Sequence, residues 1–457
     1  MQKSKVAIQV INPGLLPDDT VMLGEMYMKQ WKIPGGQPVV LKFGAFRQPV
    51  KVVPVARYDG MRISQQLARR MGIPAGASLR ILYRPVSSTL SLGPLIGVLI
   101  SRDYPGMPDR PFGAITQFCK ELVEACRLQG AMAYFFTPDQ IGESANYIEG
   151  WVCPAGKWFR QTMPVADVIN NRLTTRKLEN RSSVQRFMKE TKARHQTHFF
   201  NEKFLDKTEV FDSLKQDLSL TRYLPESHLL GSYSTLKAMC SRYPVVFLKP
   251  IRGSLGKGIM RISRTEGGGL LALSTTAGGT RKQQYANAQK LFSAISGKMK
   301  TVRYQIQQGL QLIDIQKRPV DFRALVQKNS KGKWTITSIV GRIAGNHHFV
   351  SNLARGGTLT TVKGAIARSN LAPGTSRQEA AERLQRAALE IAAGIDAHIP
   401  AHFGELGIDL ALDTSGRVWL LEVNSKPSKN DNTPLNDNKI RPSVRKLIQY
   451  ARYLCGY

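Results

Sequence analysis

The sequence predicts an α/β (α+β) protein of several domains, and two patterns support that prediction. Between residues 94 and 137, two continuous apolar runs flank a segment with apolar residues at helical spacing. Near the C-terminus, a long amphipathic helical pattern precedes two apolar segments that a turn sequence separates. Because 457 residues exceed what one hydrophobic core supports, we expect three domains. They are residues 1–88, residues 89–200, and residues 201–457 with two subdomains that meet near residue 310.

The N-terminal region is predicted to be a small β-rich domain. Short apolar alternations are broken by Pro and Gly in KVAIQVINPG, QPVVLKFGAF and VKVVPVARYDG. One helix, ISQQLARRMGI, and a further strand, SLRILYRPV, complete it, and SSTLSLGP is interpreted as a linker. No internal repeat is evident.

The next region has a βαβ pattern. PLIGVLISRDY is a continuous apolar run of the kind that forms a buried parallel strand. AITQFCKELVEACRLQG has helical periodicity and ends on Gly130, and AMAYFFTP is the next buried strand. No G-x-G-x-x-G follows the first strand, so the dinucleotide-binding fingerprint is absent.

From about residue 200 the chain alternates strands with helices. The predicted strands are VVFLKP, the end of GSLGKGIMRIS, YQIQQGLQL, FRALVQK and KWTITSIVGRIAG. A long amphipathic helix, TSRQEAAERLQRAALEIAAGIDAHI, then leads to the hairpin GIDLAL–DTSG–RVWLLEVN and to a basic helix, SVRKLIQYARYL.

Composition restricts the class of protein. Sixty-five Lys and Arg against 33 Asp and Glu give a net charge of +32, which predicts attraction to polyanions. No zinc finger or RNP-type motif accompanies the charge, so sequence-specific nucleic-acid binding is not expected. Five scattered cysteines without C-x-x-C exclude a zinc ribbon and argue against a disulfide framework. No apolar window is long enough to span a membrane, and MQKSKVAIQVINPG has no signal-peptide core, which predicts cytoplasmic synthesis.

The C-terminal hairpin carries a candidate metal site. If DTSG is the turn, Leu412 faces Arg417 and Asp409 faces Leu420. Strand alternation puts Glu422 and Asn424 on one face, with Asp409 diagonal to Glu422 on the same face. Hard oxygen ligands with room for water and phosphate suit Mg²⁺. The alternative is a solvated strand end with incidental polar residues.

The stretch PIRGSLGKGIM is a candidate phosphate site. A glycine loop between strands can approach phosphates closely, and Lys249 and Lys257 supply cations beside it. The P-loop spacing is missing and a strand follows rather than a helix. A simple turn is the alternative interpretation.

Two further stretches complete the candidate set. YQIQQGLQL could offer backbone groups to an adenine edge, or be a plain strand. VDFRALVQ places Asp321 and Arg323 on one strand face. GRIAGNHHFVSNLARGG could form a mobile loop that grips anions through Arg342, Asn352 and Arg355, or a surface hairpin with solvated arginines.

The order of these motifs resembles the ATP-grasp superfamily. Asp206–Lys207, LKP, the glycine loop, a hinge strand, D-x-R, N-L-x-R-G-G, G-x-D and E-V-N follow one another over roughly residues 200–457. DVINNRL, HFFNEKFLDK, YLPES and SNLARGG look like the YheC/YheD family of endospore coat-associated proteins, and SNLARGG is also similar to RimK-type glutamate ligases.

The resemblance implies an ATP-grasp fold preceded by a βαβ pre-ATP-grasp domain and the β-rich segment. It implies ATP between two sheets and Mg²⁺ on its phosphates. Gln308 stands where ATP-grasp ligases often carry Glu, which leaves adenine recognition open. The implied phosphate ligands are Lys207, Lys249, Gly253, Ser254, Gly256, Lys257 and Gly258; the adenine site is Gln307, Gln308, Gly309 and Leu310; the metal ligands are Asp409, Glu422 and Asn424; and Arg323, Arg342 and Asn352 approach the transferring phosphate or the substrate carboxylate.

The implied function is an ATP- and Mg²⁺-dependent carboxylate–amine ligase that acts through an acyl phosphate and is associated with the endospore coat. The alternative is a non-catalytic, ATP-binding scaffold of the coat, which the charge would also suit. An acidic or carboxylate substrate is expected, either a peptide or a polyanionic envelope component. No acceptor signature identifies the acid or the amine, and the oligomeric state stays open.

Overall fold

The computed structural model describes residues 5–252, 258–276, 279–345, 356–429 and 440–457. Its described residues form four sheets with helices packed on them, which confirms the mixed α/β class. Short 3-10 turns occur at Pro85–Ser87, Gly113–Ile115, Pro138–Gln140 and Pro154–Gly156.

The N-terminal region is a closed barrel whose strands run in the order β1-β5-β2-β4-β3-β7-β6. The predicted linker SSTLSLGP is wrong, because Thr89–Gly93 is a strand that pairs with two others to close the barrel. A second helix, Glu25–Trp31, was also not predicted. The elements are β1 Lys5–Ile11, β2 Thr20–Gly24, α1 Glu25–Trp31, β3 Pro38–Phe43, β4 Phe46–Val55, β5 Met61–Ser64, α2 Gln65–Met71, β6 Ser78–Arg84 and β7 Thr89–Gly93.

The barrel contains a two-fold repeat. β1-β2-α1-β3 and β4-β5-α2-β6 have the same order, and β1 pairs parallel with β5 as β4 does with β2. Each seven-residue helix is followed by Ile-Pro and then by a glycine with positive φ, 74° at Gly36 and 75° at Gly76. The expectation of no internal repeat is therefore wrong. The sequence does not reveal the repeat, because hardly any other residues match between the halves and the similarity lies in strand pairing.

The second sheet has the order β11-β10-β9-β8-β12-β13 and is parallel from β9 to β13. Its helix α3 ends at Gly130, which has a φ of 72°. The elements are β8 Leu95–Leu99, α3 Thr116–Gln129, β9 Met132–Phe136, β10 Tyr147–Val152, β11 Phe159–Pro164, β12 Val168–Asn171, α4 Arg176–Glu179, α5 Ser182–His195 and β13 His198–Phe200.

The third sheet has the order β14-β19-β15-β16-β17-β18. One face is buried under two helices, through Leu236 and Met239 of one and Leu291 and Ile295 of the other. The elements from residue 207 onward are α6 Lys207–Leu214, α7 Leu218–Thr221, β14 Ser227–Leu229, α8 Tyr233–Arg242, β15 Val245–Pro250, β16 Met260–Arg264, β17 Leu270–Thr276, β18 Gly279–Tyr285, α9 Ala288–Met299 and β19 Tyr304–Gln308.

The fourth sheet has the order β23-β22-β21-β24-β25, and a 22-residue helix, Arg377–His398, covers it. Ser376 caps that helix by accepting from the Glu379 N–H, and Gly394 lets it approach Leu220, whose Cδ1 would lie 2.3 Å from an added Cβ. The elements are β20 Asp314–Ile315, β21 Arg318–Lys328, β22 Trp334–Ile343, β23 Thr358–Thr361, α10 Val362–Arg368, α11 Arg377–His398, β24 Glu405–Leu412, β25 Val418–Asn424 and α12 Pro442–Cys455.

The C-terminal helix α12 packs away from the fourth sheet's own helices. Its Val444, Leu447 and Ile448 share a buried cluster with Phe118 and Leu122 of α3. The last helix of the chain therefore completes the core of the second sheet. None of the helices in the described ranges combines the length and the apolar character needed to cross a bilayer.

Candidate active site

A cleft of about 730 Å³ separates the third and fourth sheets. The third sheet contributes the face that its helices leave open, because Phe247 and Lys249 alternate with the buried Val246 and Leu248. The segment 307–312 forms the end wall where β19 leads into the fourth sheet. The charged side chains that line the cleft include Lys207, Lys249, Arg261, Asp321, Arg342, Asp409 and Glu422.

The β24–β25 hairpin brings two predicted metal ligands together, although in a different register. Asp409 lies directly opposite Glu422, and Leu412 faces Val418 instead of Arg417. The turn is wider than predicted, because the Asp413 carboxylate accepts from Ser415 and from the Arg417 N–H. The register shifts between Asp409 and Leu410, so that Leu421 has no partner on β24 and Asp409 lies opposite Glu422.

Asn424, the third predicted metal ligand, lies two residues beyond Glu422 and opposite Gly407. It is half-buried and does not belong to the described residues that line the cleft. Leu421, the extra residue beside Glu422, does line the cleft and was not predicted to.

Cross-strand ion pairs connect the predicted catalytic arginines to these carboxylates. Arg323 is paired with Asp409 across β21–β24, and its Nη2 donates to Oδ2 over 3.0 Å. Arg342 is paired with Asp321 across β21–β22, with 2.5 Å between Nε and Oδ1, and its Nη2 lies 3.2 Å from the Asp409 Oδ2. Arg323 itself lies beyond Asp409, outside the described lining of the cleft.

The pKa values follow from this pairing. Burial alone would raise the pKa of Asp409, but Arg323 and Arg342 hold it below its usual value. Burial would likewise lower the pKa of Arg342, yet Asp409 and Asp321 raise it. Both shifts favour the charged forms of Asp409 and Arg342.

Two lysines face the cleft at its polar end. Lys207 begins α6, which Asp206 caps, and its Nζ lies 3.2 Å from the Glu422 Oε1. Lys249 ends β15 and donates to the Gln307 Oε1. Burial, together with the charge of Lys207, lowers the pKa of Lys249 to about 8.

The predicted adenine segment is at the cleft wall, but its side chains differ from expectation. Gln307 turns toward Lys249, and its Nε2 is buried without a described partner. Gln308 bonds to the Glu226 backbone through its own N–H and its side-chain oxygen. Gly309 approaches β15 so closely that an added Cβ would lie 2.6 Å from the Val245 carbonyl oxygen. The Gly309 N–H donates to that oxygen, so the Gly309 carbonyl and the Leu310 backbone are the polar groups of this segment that no described hydrogen bond uses.

Part of the predicted site lies outside the described residues. That part is Gly253, Ser254, Gly256 and Lys257 of the glycine loop, and Asn352 with Arg355 of the SNLARGG segment. Gly258 is described and has a φ of 70°, a conformation that favours glycine.

Sequence reasoning missed several lining residues. Phe247 shares the cleft face with Lys249, and Arg261 lies opposite Phe247 on β16. The alternation of VVFLKP contained the signal for Phe247. Asp314, which accepts from Asn370 over 2.8 Å, and Thr414 line the other side, and no sequence pattern marked them.

Positive charge is concentrated around the third sheet. Residues 225–308 contain thirteen Lys and Arg but only two Asp and Glu, a net charge of +11. One of the two acids, Glu226, already accepts from Arg242 and Tyr243. Arg261 and Lys282 lie on the same face as Lys249, through successive strand pairings from β15 to β18.

Comparison with known proteins agrees with this architecture. A family model described as YheC/D like ATP-grasp matches residues 196–454. The chain is 30% identical over 393 residues to the endospore coat-associated protein YheD of Bacillus subtilis (strain 168), covering 86% of this chain and 85% of that protein. It is 23% identical over 303 residues to YheC of the same organism, covering 64% and 80%. A solved D-alanyl-alanine synthetase A from Vibrio cholerae has a TM-score of 0.44 at 11% identity, covering 80% of this chain and 98% of that one. The chain therefore belongs to the YheC/D-like ATP-grasp family.

Proposed function

We propose that this protein is an ATP- and Mg²⁺-dependent ligase that joins a carboxylate to an amine. The observation that carries the proposal is the cleft itself. Lys207 and Lys249, two facing carboxylates and an arginine meet there between two sheets, next to a wall whose backbone can meet a base.

The donor set fits Mg²⁺. The described residues contain no group of three or more His, Cys, Asp or Glu arranged for a metal. Asp409 and Glu422 are two hard carboxylates side by side at a cleft wall. Mg²⁺ is commonly held by one or two carboxylates together with water and substrate phosphates, so a sparse set is suitable. We assign Asp409, Glu422 and, beyond them, Asn424 to it.

The remaining residues divide by position. Lys207 and Lys249 suit the triphosphate, with the glycine loop that ends at Gly258, and Gln307–Leu310 suit the base. Arg323, Arg342 and Asn352 are assigned to the transferring phosphate or the substrate carboxylate. Fixed cations in a recessed site stabilise charge that develops during transfer without having to reorganise.

The proposed chemistry needs no side-chain nucleophile. A substrate carboxylate oxygen takes the terminal phosphoryl group of ATP, which releases ADP and leaves an acyl phosphate. The amine nitrogen then forms the new C–N bond, the C–O bond to phosphate breaks, and the amine loses a proton. Mg²⁺ would act as a Lewis acid on the phosphate oxygens. The chain's arginines would hold the acid in place for attack.

The charge distribution supports an acidic substrate. The +11 charge of residues 225–308 extends past the cleft to Lys282 on β18, which lies on the same face of the third sheet as Lys249, while Lys290 and Lys298 belong to α9 on the other face. A triphosphate reaches only the cations of the cleft. A peptide or polymer rich in carboxylates would use the others as well, through long-range attraction.

An ADP-release screen tests the proposal. The panel contains amino acids, acidic peptides and polyanionic envelope fragments, each with and without an amine, and Glu422→Ala serves as the blank. We expect ADP only when acid and amine are both present, and a product mass equal to their sum less water. A protein that binds ATP with Mg²⁺ but releases no ADP across the panel would favour the non-catalytic scaffold. Absence of ATP binding in calorimetry would contradict both.

Association with the endospore coat is proposed from the relatives alone, since both carry that description. Fractionation of spores with antibody detection tests it. Recovery in the coat fraction is the expected result, and confinement to the core fraction would contradict it.

A further inference from the structure

We propose that Asp409 and Glu422 have a second role as counter-ions, so that nucleotide and Mg²⁺ enter the cleft cooperatively through an exchange of partners. In the nucleotide-free protein they hold the cations that later bind phosphate. The inference rests on the proposed function and concerns how that same site is filled.

Each carboxylate assigned to the metal is already occupied by a cation assigned to phosphate or substrate. Asp409 is shared by Arg323, through two contacts, and by Arg342, at 3.2 Å. Glu422 is paired with Lys207 at 3.2 Å. The Asp409–Arg342 pair is largely shielded from water, since each side chain is only 10% exposed, whereas Glu422 is 29% exposed.

The described charges of the network nearly cancel. Asp321, Asp409 and Glu422 carry three negative charges. Four positive charges face them, on Lys207, Lys249, Arg323 and Arg342. The network is therefore close to neutral, and a charge that loses its partner there is destabilised to the extent that it is buried.

The consequence is a coupled exchange. Asp409 can release Arg323 and Arg342 only if another cation takes their place, and Glu422 can release Lys207 only on the same condition. The released cations in turn need new anions. Mg²⁺ without nucleotide would displace Lys207 and Arg323 from these carboxylates and leave Arg342 with Asp321, and nucleotide without Mg²⁺ would leave two carboxylates beside phosphate. The coupling is reciprocal, because each ligand must change the affinity for the other by the same factor.

Calorimetry on the full chain tests the exchange, with a non-hydrolysable ATP analogue as the probe. The wild type is titrated with the analogue in EDTA, with Mg²⁺ alone, and with both. We expect no measurable binding of Mg²⁺ alone, weak binding of the analogue in EDTA, and tight binding with both present.

The decisive variant is Asp409→Asn, which removes the shared counter-ion but keeps the side-chain shape. In EDTA it should bind the analogue about tenfold more tightly than the wild type, because the Asp409 carboxylate no longer competes with phosphate for Arg323 and Arg342. Loss of one negative charge near the phosphates raises the affinity by itself, and the Asp321→Asn control measures that part. With Mg²⁺ present, the same variant should lose the enhancement. Glu422→Gln, which removes the carboxylate that Lys207 contacts, repeats the test if Asp409→Asn fails to fold, as judged by circular dichroism.

Two matched variants exclude simpler explanations. Asp321→Asn removes the same charge from the same cleft but leaves Asp409 holding both arginines, so its gain should be clearly smaller. Asp396→Asn, whose partner Lys328 lies outside the cleft lining, should change nothing. An equal gain in Asp321→Asn, or no gain in Asp409→Asn, would overturn the exchange and leave the nucleotide site standing. Failure of the wild type to bind the analogue with Mg²⁺ would instead overturn the proposed function, and the exchange with it.

Discussion

Two carboxylates on the same face of β24, Glu405 and Asp409, have nearly the same chemistry and very different surroundings. Each accepts from two cations, Glu405 from Arg172 and Lys429, and Asp409 from Arg323 and Arg342. Glu405 is 2% exposed and also accepts from Asn201 and Gln327, whereas Asp409 is 10% exposed and faces the cleft.

The origin of the partners explains the difference. Arg172 and Asn201 follow strands of the second sheet, and Lys429 follows β25, so Glu405 connects three parts of the chain. The partners of Asp409 come from its own sheet, Arg323 from the neighbouring strand β21 and Arg342 from β22, the strand beyond it. Gly407 separates the two groups and leaves room for Pro427 and Arg323, which would lie 3.0 and 3.4 Å from an added Cβ. A buried ion pair is structural when it joins distant segments and its hydrogen bonds are complete, and it is available for ligands when it borders a cavity.

The largest effect is expected from Glu405→Gln. The change leaves Arg172 and Lys429 buried without their shared carboxylate, and it should lower the free energy of unfolding by about 3–5 kcal/mol. Chemical denaturation measures it. A loss below about 1 kcal/mol would show that Glu405 is no more structural than Asp409, and the comparison would fail.

Lys249→Met should weaken binding of the ATP analogue with Mg²⁺ by about 100-fold, because a buried charge-assisted contact to phosphate is lost. Calorimetry gives the affinity. Lys328→Met, at a lysine paired with Asp396 away from the cleft, is the control and should bind normally. Equal weakening in both variants would contradict a specific role for Lys249.

Nucleotide affinity should fall at alkaline pH. The pKa of Lys249 is lowered to about 8 in the nucleotide-free protein, so its ammonium group loses the proton as the pH rises through that value. Above it, affinity should weaken about tenfold per pH unit, and the trend should be absent in Lys249→Met. Titrations at constant ionic strength measure the slope. The same slope in both proteins would assign the effect to another group.

The smallest effect is expected for the stability of Asp409→Asn. Arg342 keeps Asp321, and Arg323, with its side chain 20% exposed, can turn toward water. The free energy of unfolding should fall by only about 1 kcal/mol. A loss as large as that of Glu405→Gln would mean that the cleft network is structural as well.

Much of the site followed from strand periodicity. Alternation in WLLEVN predicted that Glu422 shares a face with Asp409, and the glycine loop beside Lys249 predicted a phosphate site there. The structure brings all three residues to one cleft. The hairpin register was missed because Asp413 widens the turn through its own hydrogen bonds, which the letters DTSG do not reveal. That the cations pair with the carboxylates was also not foreseen. It depends on which strands are neighbours, and β21 meets β24 only after more than eighty intervening residues.

The fold was predictable where the residues that determine a helix or strand lie within the same segment of sequence. The βαβ unit and the helix α11 have their own periodicity and caps. The stretch SSTLSLGP, which contains β7, predicts a linker because it is rich in Ser, Gly and Pro. In the structure β7 is buried because it pairs with β3 on one side and β6 on the other. The repeat within the barrel was not detected for a related reason. The two halves have the same strand pairing, but few of their residues are identical.

The position of α12 has a consequence for how the chain is made. The apolar face that Phe118 and Leu122 present is completed by Val444, Leu447 and Ile448, which leave the ribosome more than three hundred residues later. Until α12 has been synthesised, this apolar face of the second sheet is therefore exposed. Exposed apolar surface of this kind favours aggregation and chaperone binding. Premature termination before residue 442 would leave it uncovered permanently. We expect chains that lack α12 to be degraded faster than chains that contain it, because the apolar face of the second sheet stays exposed in them.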